Sequence, residues 1–191
     1  MYTDLLADGR LYALLQRCDE DLAAGQRAQG CPRCGGMLHA AHYRRKPRGG
    51  PAGLVPEYGR RLSYCCAREG CRKRATPPSL RFLGRKVYLG AVVVLISAMR
   101  NGPTPARMQF LQDRVGVSRR TILRWRLWWS QLLSATSFWR TAAAALMPPV
   151  SASQLPASLL ERFAGSALDR LCSLLRFVAP ITTGSAAVHA A

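Results

Sequence analysis

The sequence predicts a mainly α-helical chain with one small β unit, ordered as helical segment, β unit, three helices and C-terminal helix. Three observations predict it. Two cysteine groups, "CPRCGG" (31–36) and "YCCAREGC" (64–71), bracket a stretch with strand and turn character. Three segments with helix start and stop signals follow between residues 81 and 140. Beyond them, residues 155–178 repeat apolar side chains at the spacing of one helix face.

Residues 1–30 read as an N-terminal helical segment, with Cys18 in a helical pattern that suits core packing. The opening "MYTDLLADGR" carries acids where a secretory leader needs a basic start and an apolar run, which predicts a cytoplasmic location. The longest apolar stretch, "LGAVVVLISAM" (89–99), falls well short of the roughly 20 residues that span a bilayer as a helix. Lys86 and Arg100 bracket it, so it reads as a buried helix with no membrane role.

Residues 31–80 hold five of the seven cysteines. Without a secretory leader, such spacing points to metal binding or unpaired thiols before it points to disulfides. In "CPRCGG" a proline fixes one dihedral and a glycine permits a left-handed one, a turn that aims backbone amides at two thiolates. A tetrahedral Zn²⁺ site needs a second pair. If residues 60–66 are a strand, Cys65 and Cys66 point to opposite faces and only one can meet the metal. The shorter spacing to Cys71 favours Cys66, giving Cys31, Cys34, Cys66 and Cys71 as zinc ligands and Cys65 as the alternative.

His39 and His42 are spare donors that four thiols make unnecessary. A redox role for Cys31 and Cys34 lacks the surrounding βαβ pattern. Four ligands close the shell, so the unit reads as a structural zinc ribbon. Its basic runs, Arg44, Arg45 and Lys46 on the hairpin and Arg72, Lys73 and Arg74 beside the second cysteine group, read as one positive face.

Residues 81–140 follow as a helical domain. Residues 85–100 predict an apolar helix ended by "NGP", Thr104 caps a second helix running to about Arg114, and Ser118 caps a third over 119–133. The last two are joined by the glycine turn "VGVS" (115–118), the pattern of a helix-turn-helix. Leu111, Val115, Val117, Ile122 and Trp125 occupy the apolar positions around Gly116, leaving Arg119, Arg120, Thr121 and Arg124 on the outward side. The pattern departs at Gln112, where a small residue would let the helices approach closely. Ile122, Trp125, Trp129 and Leu132 lie near one helical face, which suits packing on the first helix better than membrane anchoring.

Residues 141–180 read as a linker and C-terminal helix, and 181–191 as a disordered tail. The stripe from Leu155 to Val178 suits packing on the helical core, and pairing of two subunits in a homodimer is its other use.

Charge then narrows the partner. The chain carries 28 Lys plus Arg against 10 Asp plus Glu, a net +18, and residues 31–140 alone carry +19. A block this positive needs an anionic neighbour, and nucleic-acid phosphate is the usual one. Arginine supplies 25 of the 28 cations, which suits bidentate contacts to phosphate and to guanine edges, although a GC-rich genome produces the same bias.

The order of "CPRCGG", "CCAREGCRKR" and "GVSRRTILRW" resembles the DNA-binding portion of bacterial insertion-sequence transposases, over about residues 31–135. The resemblance implies that Cys31, Cys34, Cys66 and Cys71 hold zinc. It likewise implies that Ser118, Arg119, Arg120, Thr121 and Arg124 contact double-stranded DNA. Such transposases need three carboxylates on a further domain, and after the third helix this chain offers only Glu161 and Asp169, in a helical stretch. The expectation is therefore a non-catalytic, nucleoid-associated, sequence-specific DNA-binding protein, serving a separately encoded transposase or regulating transcription. An RNA-binding zinc-ribbon protein would use the same basic face and is the alternative.

Overall fold

A computed structural model of the protein describes residues 2–51, 53–83, 87–99 and 104–183. The expected helix start at 85–86, the bracketing Lys86 and Arg100, the "NGP" stop and the tail from 184 lie outside the described residues.

The chain is mainly helical with small antiparallel sheets. It begins with α1 (Tyr2–Ala7) and α2 (Gly9–Gln29), whose start is capped by the Asp8 side chain. A three-stranded sheet orders β1 (Leu38–Ala40), β4 (Tyr64–Cys66) and β5 (Arg74–Ala75) side by side. A second ladder pairs β2 (Tyr43–Arg44) with β3 (Arg60–Arg61). The helices α3 (Gly90–Ser97), α4 (Pro105–Val115), α5 (Arg119–Leu127), α6 (Ser137–Ala144), α7 (Ala157–Leu160) and α8 (Ala167–Val178) complete the fold.

Two apolar cores follow from this arrangement. The larger gathers all the helices around α3, every residue of which is buried. The smaller consists of Ala23, Cys31, Leu38, Leu62, Tyr64, Cys66 and Ala75. Helix α2 serves both, because Leu11, Tyr12, Leu15 and Cys18 enter the large core while Ala23, nearer its C-terminus, enters the small one.

The seam between the cores is polar and closed. The Asp19 carboxylate of α2 accepts hydrogen bonds from Ser79 Oγ (2.5 Å), the Leu80 amide (2.6 Å) and Arg81 Nε (2.9 Å). The Arg81 guanidinium also donates to the Tyr58 and Arg60 carbonyls and lies over the Tyr58 and Phe82 rings. Asp19 and Arg81 are almost fully buried.

Several elements differ from expectation, each for a physical reason. The apolar helix starts only at Gly90, because residues 87–89 are extended and pair with a distant segment: the Arg48 amide donates to the Val87 carbonyl and the Leu89 amide to the Arg48 carbonyl. Gly90 is obligatory there, since a Cβ would sit 2.8 Å from the Leu80 carbonyl oxygen. The third helix becomes a π turn over Trp128–Leu133. Its wider winding brings Leu133 into the core and leaves Leu132 49 % exposed, which corrects the stripe expected through Leu132.

Helix α6, capped by Thr136, falls partly where a linker was expected. The C-terminal stretch is two helices, because Gly165 takes a positive φ and Ser166 with Asp169 forms a capping box that starts α8. Its apolar stripe enters the large core, as do Trp125, Trp129 and Trp139.

Candidate metal centre and basic surface

The four sulfurs of Cys31, Cys34, Cys66 and Cys71 lie within 4.8 Å of one another. Local sequence explains how. In "CPRCGG" the amides of Cys34 and Gly35 both donate to the Cys31 carbonyl, and Gly35 takes φ 67° to close the turn. A Cβ on Gly36 would crowd the cluster, lying 3.2 Å from Cys66 Sγ and 3.3 Å from Cys34 Sγ. Across the sheet, Leu38 faces Cys66, the Cys66 amide donates to the Lys73 carbonyl, and Gly70 at φ 77° turns the chain toward Cys71.

The spacing fits an ion. Sγ–Sγ distances are 3.5 Å for Cys34–Cys66 and 3.8 Å for Cys31–Cys71. Four thiolates about 2.3 Å from a tetrahedral centre would stand about 3.8 Å apart. The chemistry fits too: the Arg33 amide directed at Cys31 lowers its thiol pKa to about 7, which favours the thiolate a metal requires. Burial pushes the Cys66 thiol up to about 12, so an incoming ion must displace its proton. This cluster could hold a metal ion.

Cys65 stands apart, with its thiol directed at the Arg72 carbonyl 3.3 Å away. Cys66 is therefore the member of the pair in the cluster, as the shorter spacing to Cys71 favours, and Cys65, the alternative, is not. The histidines are not in the cluster: His39 pairs with Cys65 across the sheet and is exposed, while His42 Nδ1 accepts from the Ser63 amide at 3.1 Å.

The cations of the β unit differ in environment. Arg44, Lys46, Arg72, Lys73 and Arg74 are exposed. Arg45 is half-buried and lies over the Phe82 ring. Arg74 braces the fold, donating to the Ala41 carbonyl (3.0 Å) and Ser63 Oγ (3.1 Å) with Tyr43 beneath it. Arg44, Arg45 and Lys46 line an open hollow of about 440 Å³ that runs along the Gly49–Gly50 backbone.

The α4–α5 pair joins through Gly116 at φ 63°, and the Ser118 side chain caps α5 by accepting from the Thr121 amide at 3.3 Å. Leu111, Val117, Ile122 and Trp125 are buried and Val115 packs against them. Gln112 is exposed, so its bulk does not enter the helix contact. Arg119, Arg120 and Arg124 are exposed as expected. Thr121 is not: only 9 % exposed, with its hydroxyl 3.1 Å from Ser118 Oγ, it belongs to the helix start, which corrects its outward assignment. Leu123 and Leu127 share the exposed side with the arginines, a row the reading of charges overlooked although its i, i+4 spacing was visible.

Tyr88 links the two basic regions. Its neighbours Val87 and Leu89 carry the backbone pairing with Arg48, its hydroxyl donates to the Gly116 carbonyl at 2.7 Å, and its ring meets Trp125 edge-on at 5.0 Å. The segment after β2 and the α4–α5 turn are thus both held by the short extended segment 87–89. No helix among the described residues is long and apolar enough to cross a membrane. No family model, no curated protein and no solved structure matches the chain.

Proposed function

We propose that the chain is a zinc-dependent, sequence-specific DNA-binding protein without catalytic activity, in which a zinc ribbon and a helix-turn-helix share one basic surface. The observation that carries this reading is the Tyr88 linkage. It ties the Arg48 backbone, two residues after Lys46, to the turn that starts α5, which supports cations for phosphate and arginines for base edges acting together. The net charge of +18 and the closed four-sulfur cluster support it. A separately encoded transposase, or a promoter, is the setting the sequence resemblance suggests.

The two cation groups should respond differently to substitution. Removing Arg44, Lys46, Arg72 or Lys73 should weaken binding to all duplexes alike and reduce the magnitude of the salt slope by about 1. Removing Arg120 or Arg124 should cost roughly 1–3 kcal/mol on the preferred site and much less on random duplex, because a bidentate base contact carries discrimination. Thr121→Ala should leave discrimination intact, because the side chain is buried. Binding of each variant to a selected site and to random duplex across a salt series is the measurement. Equal losses on both duplexes for every variant would remove α5 as the reader.

One observation favours RNA as the second reading. Tyr43 is 43 % exposed beside Arg44 on the two-stranded ladder, a platform on which an unpaired base can stack. Competition between duplex DNA and structured RNA at one salt concentration separates the two.

A further inference from the structure

Helix α5 has an outer face whose composition the fold does not explain. At about 100° per residue, Arg119, Leu123, Leu127, Arg120 and Arg124 follow one another around an exposed sector about 140° wide. That sector lies opposite the buried Thr121, Ile122 and Trp125. Leu123 is 52 % exposed and Leu127 47 %, and the two stand in the middle of the sector, one turn apart and about 6 Å along the axis. A single exposed leucine is ordinary. This pair is flanked on both sides by cations, for α5 carries four arginines, Arg119, Arg120, Arg124 and Arg126, and no acid.

Such a face makes two demands of a partner. It must be anionic, and it must offer apolar groups to the leucines. A second copy of the chain meets only the second demand, since pairing α5 with α5 sets arginines against arginines. A lipid surface is the stronger competitor, but the tryptophans that would anchor such a helix, Trp125 and Trp129, are buried in the core. The major groove of duplex DNA meets both demands, because phosphates border it and thymine alone of the four bases presents a methyl group there.

On the DNA-binding reading, on which this rests, we propose that Leu123 and Leu127 are specificity-determining residues for thymine. Their side chains pack on thymine 5-methyl groups in the major groove while Arg120 and Arg124 meet neighbouring base edges. Deoxyuridine isolates this contact, since it keeps the hydrogen-bonding groups of thymine and lacks only the methyl.

The test uses the full, metal-loaded chain and the duplex it selects from a randomised pool, with deoxyuridine placed at each thymine in turn. The parent chain should bind about fourfold more weakly where a covered thymine loses its methyl, the weight of one buried methyl group. Leu123→Ala and Leu127→Ala should each bind the thymine and deoxyuridine duplexes equally at the position their leucine covers. Both should keep the parent's thermal midpoint, because the side chains are exposed and alanine favours a helix. Arg120→Gln should weaken both duplexes and keep the fourfold ratio. The thymine assignment is overturned if no deoxyuridine lowers the parent's affinity, or if both leucine variants keep the parent's ratio at every position. A flat deoxyuridine scan with leucine-dependent binding to vesicles of phosphatidylglycerol and phosphatidylcholine, or with leucine-dependent dimers, overturns it in favour of a lipid surface or a second copy. A chain that selects no duplex overturns the DNA-binding reading itself, and the leucine assignment falls with it.

Discussion

Cys66→Ser will release the bound metal and unfold the β unit, whereas Cys65→Ser will keep both. The neighbours differ by one position and by everything that matters to a metal: the Cys66 sulfur lies 3.5 Å from that of Cys34 inside the cluster, while the Cys65 thiol faces the Arg72 carbonyl on the other side of the strand. The small core around the cluster has only seven buried residues, three of its five apolar non-cysteine members being Leu38, Leu62 and Tyr64. A core of that size does not fold a segment of this length alone. Structural zinc supplies apparent free energies of about 10–16 kcal/mol in comparable small sites, so losing an ion of that kind from this cluster would outweigh any other single change in this half of the chain.

Chelation should reproduce the Cys66→Ser result. Hydrogen exchange should then rise across residues 31–76 and in the last turns of α2, where Ala23 packs on the small core. The helices around α3 should keep their protection, because their core contains none of the four cysteines. Metal content of the two serine variants decides the assignment. Stoichiometric metal in Cys66→Ser together with its loss in Cys65→Ser would reverse it.

What could be read from the sequence was local. Strand alternation allowed only one of Cys65 and Cys66 to meet the metal and the shorter spacing to Cys71 chose Cys66, and Ser118 three residues before Thr121, with Gly116 ahead of it, marked the turn and start of α5 correctly. What could not be read was set by partners far along the chain. Residues 87–89 have helical company on their C-terminal side, yet they are extended because Arg48 offers them a backbone ladder. Counting around a helix puts Thr121 outward, but its hydroxyl turns back to the Ser118 cap at the start of α5 and the side chain is buried there. The break before α8 was legible in "GSALD", where a serine and an aspartate three apart form a capping box, and the continuous leucine stripe concealed it.

The pairing of Asp19 with Arg81 is the clearest case of a feature invisible in sequence, since nothing near either residue announces a partner some sixty positions away. It also sets the second large effect. Asp19→Ala should destabilise the chain by about 3–5 kcal/mol, because it leaves the Arg81 guanidinium charged and buried among Tyr58 and Phe82 while also stripping the Ser79 hydroxyl and the Leu80 amide of their acceptor. Asp19→Asn should cost less, since its amide oxygen can still accept from the Leu80 amide and its NH2 can donate to the Ser79 hydroxyl, while the charge opposite Arg81 is lost.

The informative control is the pair Asp19→Leu with Arg81→Met, which removes both charges and should recover much of the loss, as apolar replacements of buried ion pairs commonly do. It should not recover all of it, because Arg81 also ties the Tyr58 and Arg60 carbonyls to the helical body. Urea unfolding of the single and double variants measures the coupling, and metal content serves as the second readout. The sulfurs do not touch this seam, so Asp19→Ala should retain its metal at temperatures where the helical core still holds. A single-variant loss below about 1 kcal/mol would mean that water enters the seam and solvates Arg81, and that the buried pair adds little to the joining of the two cores.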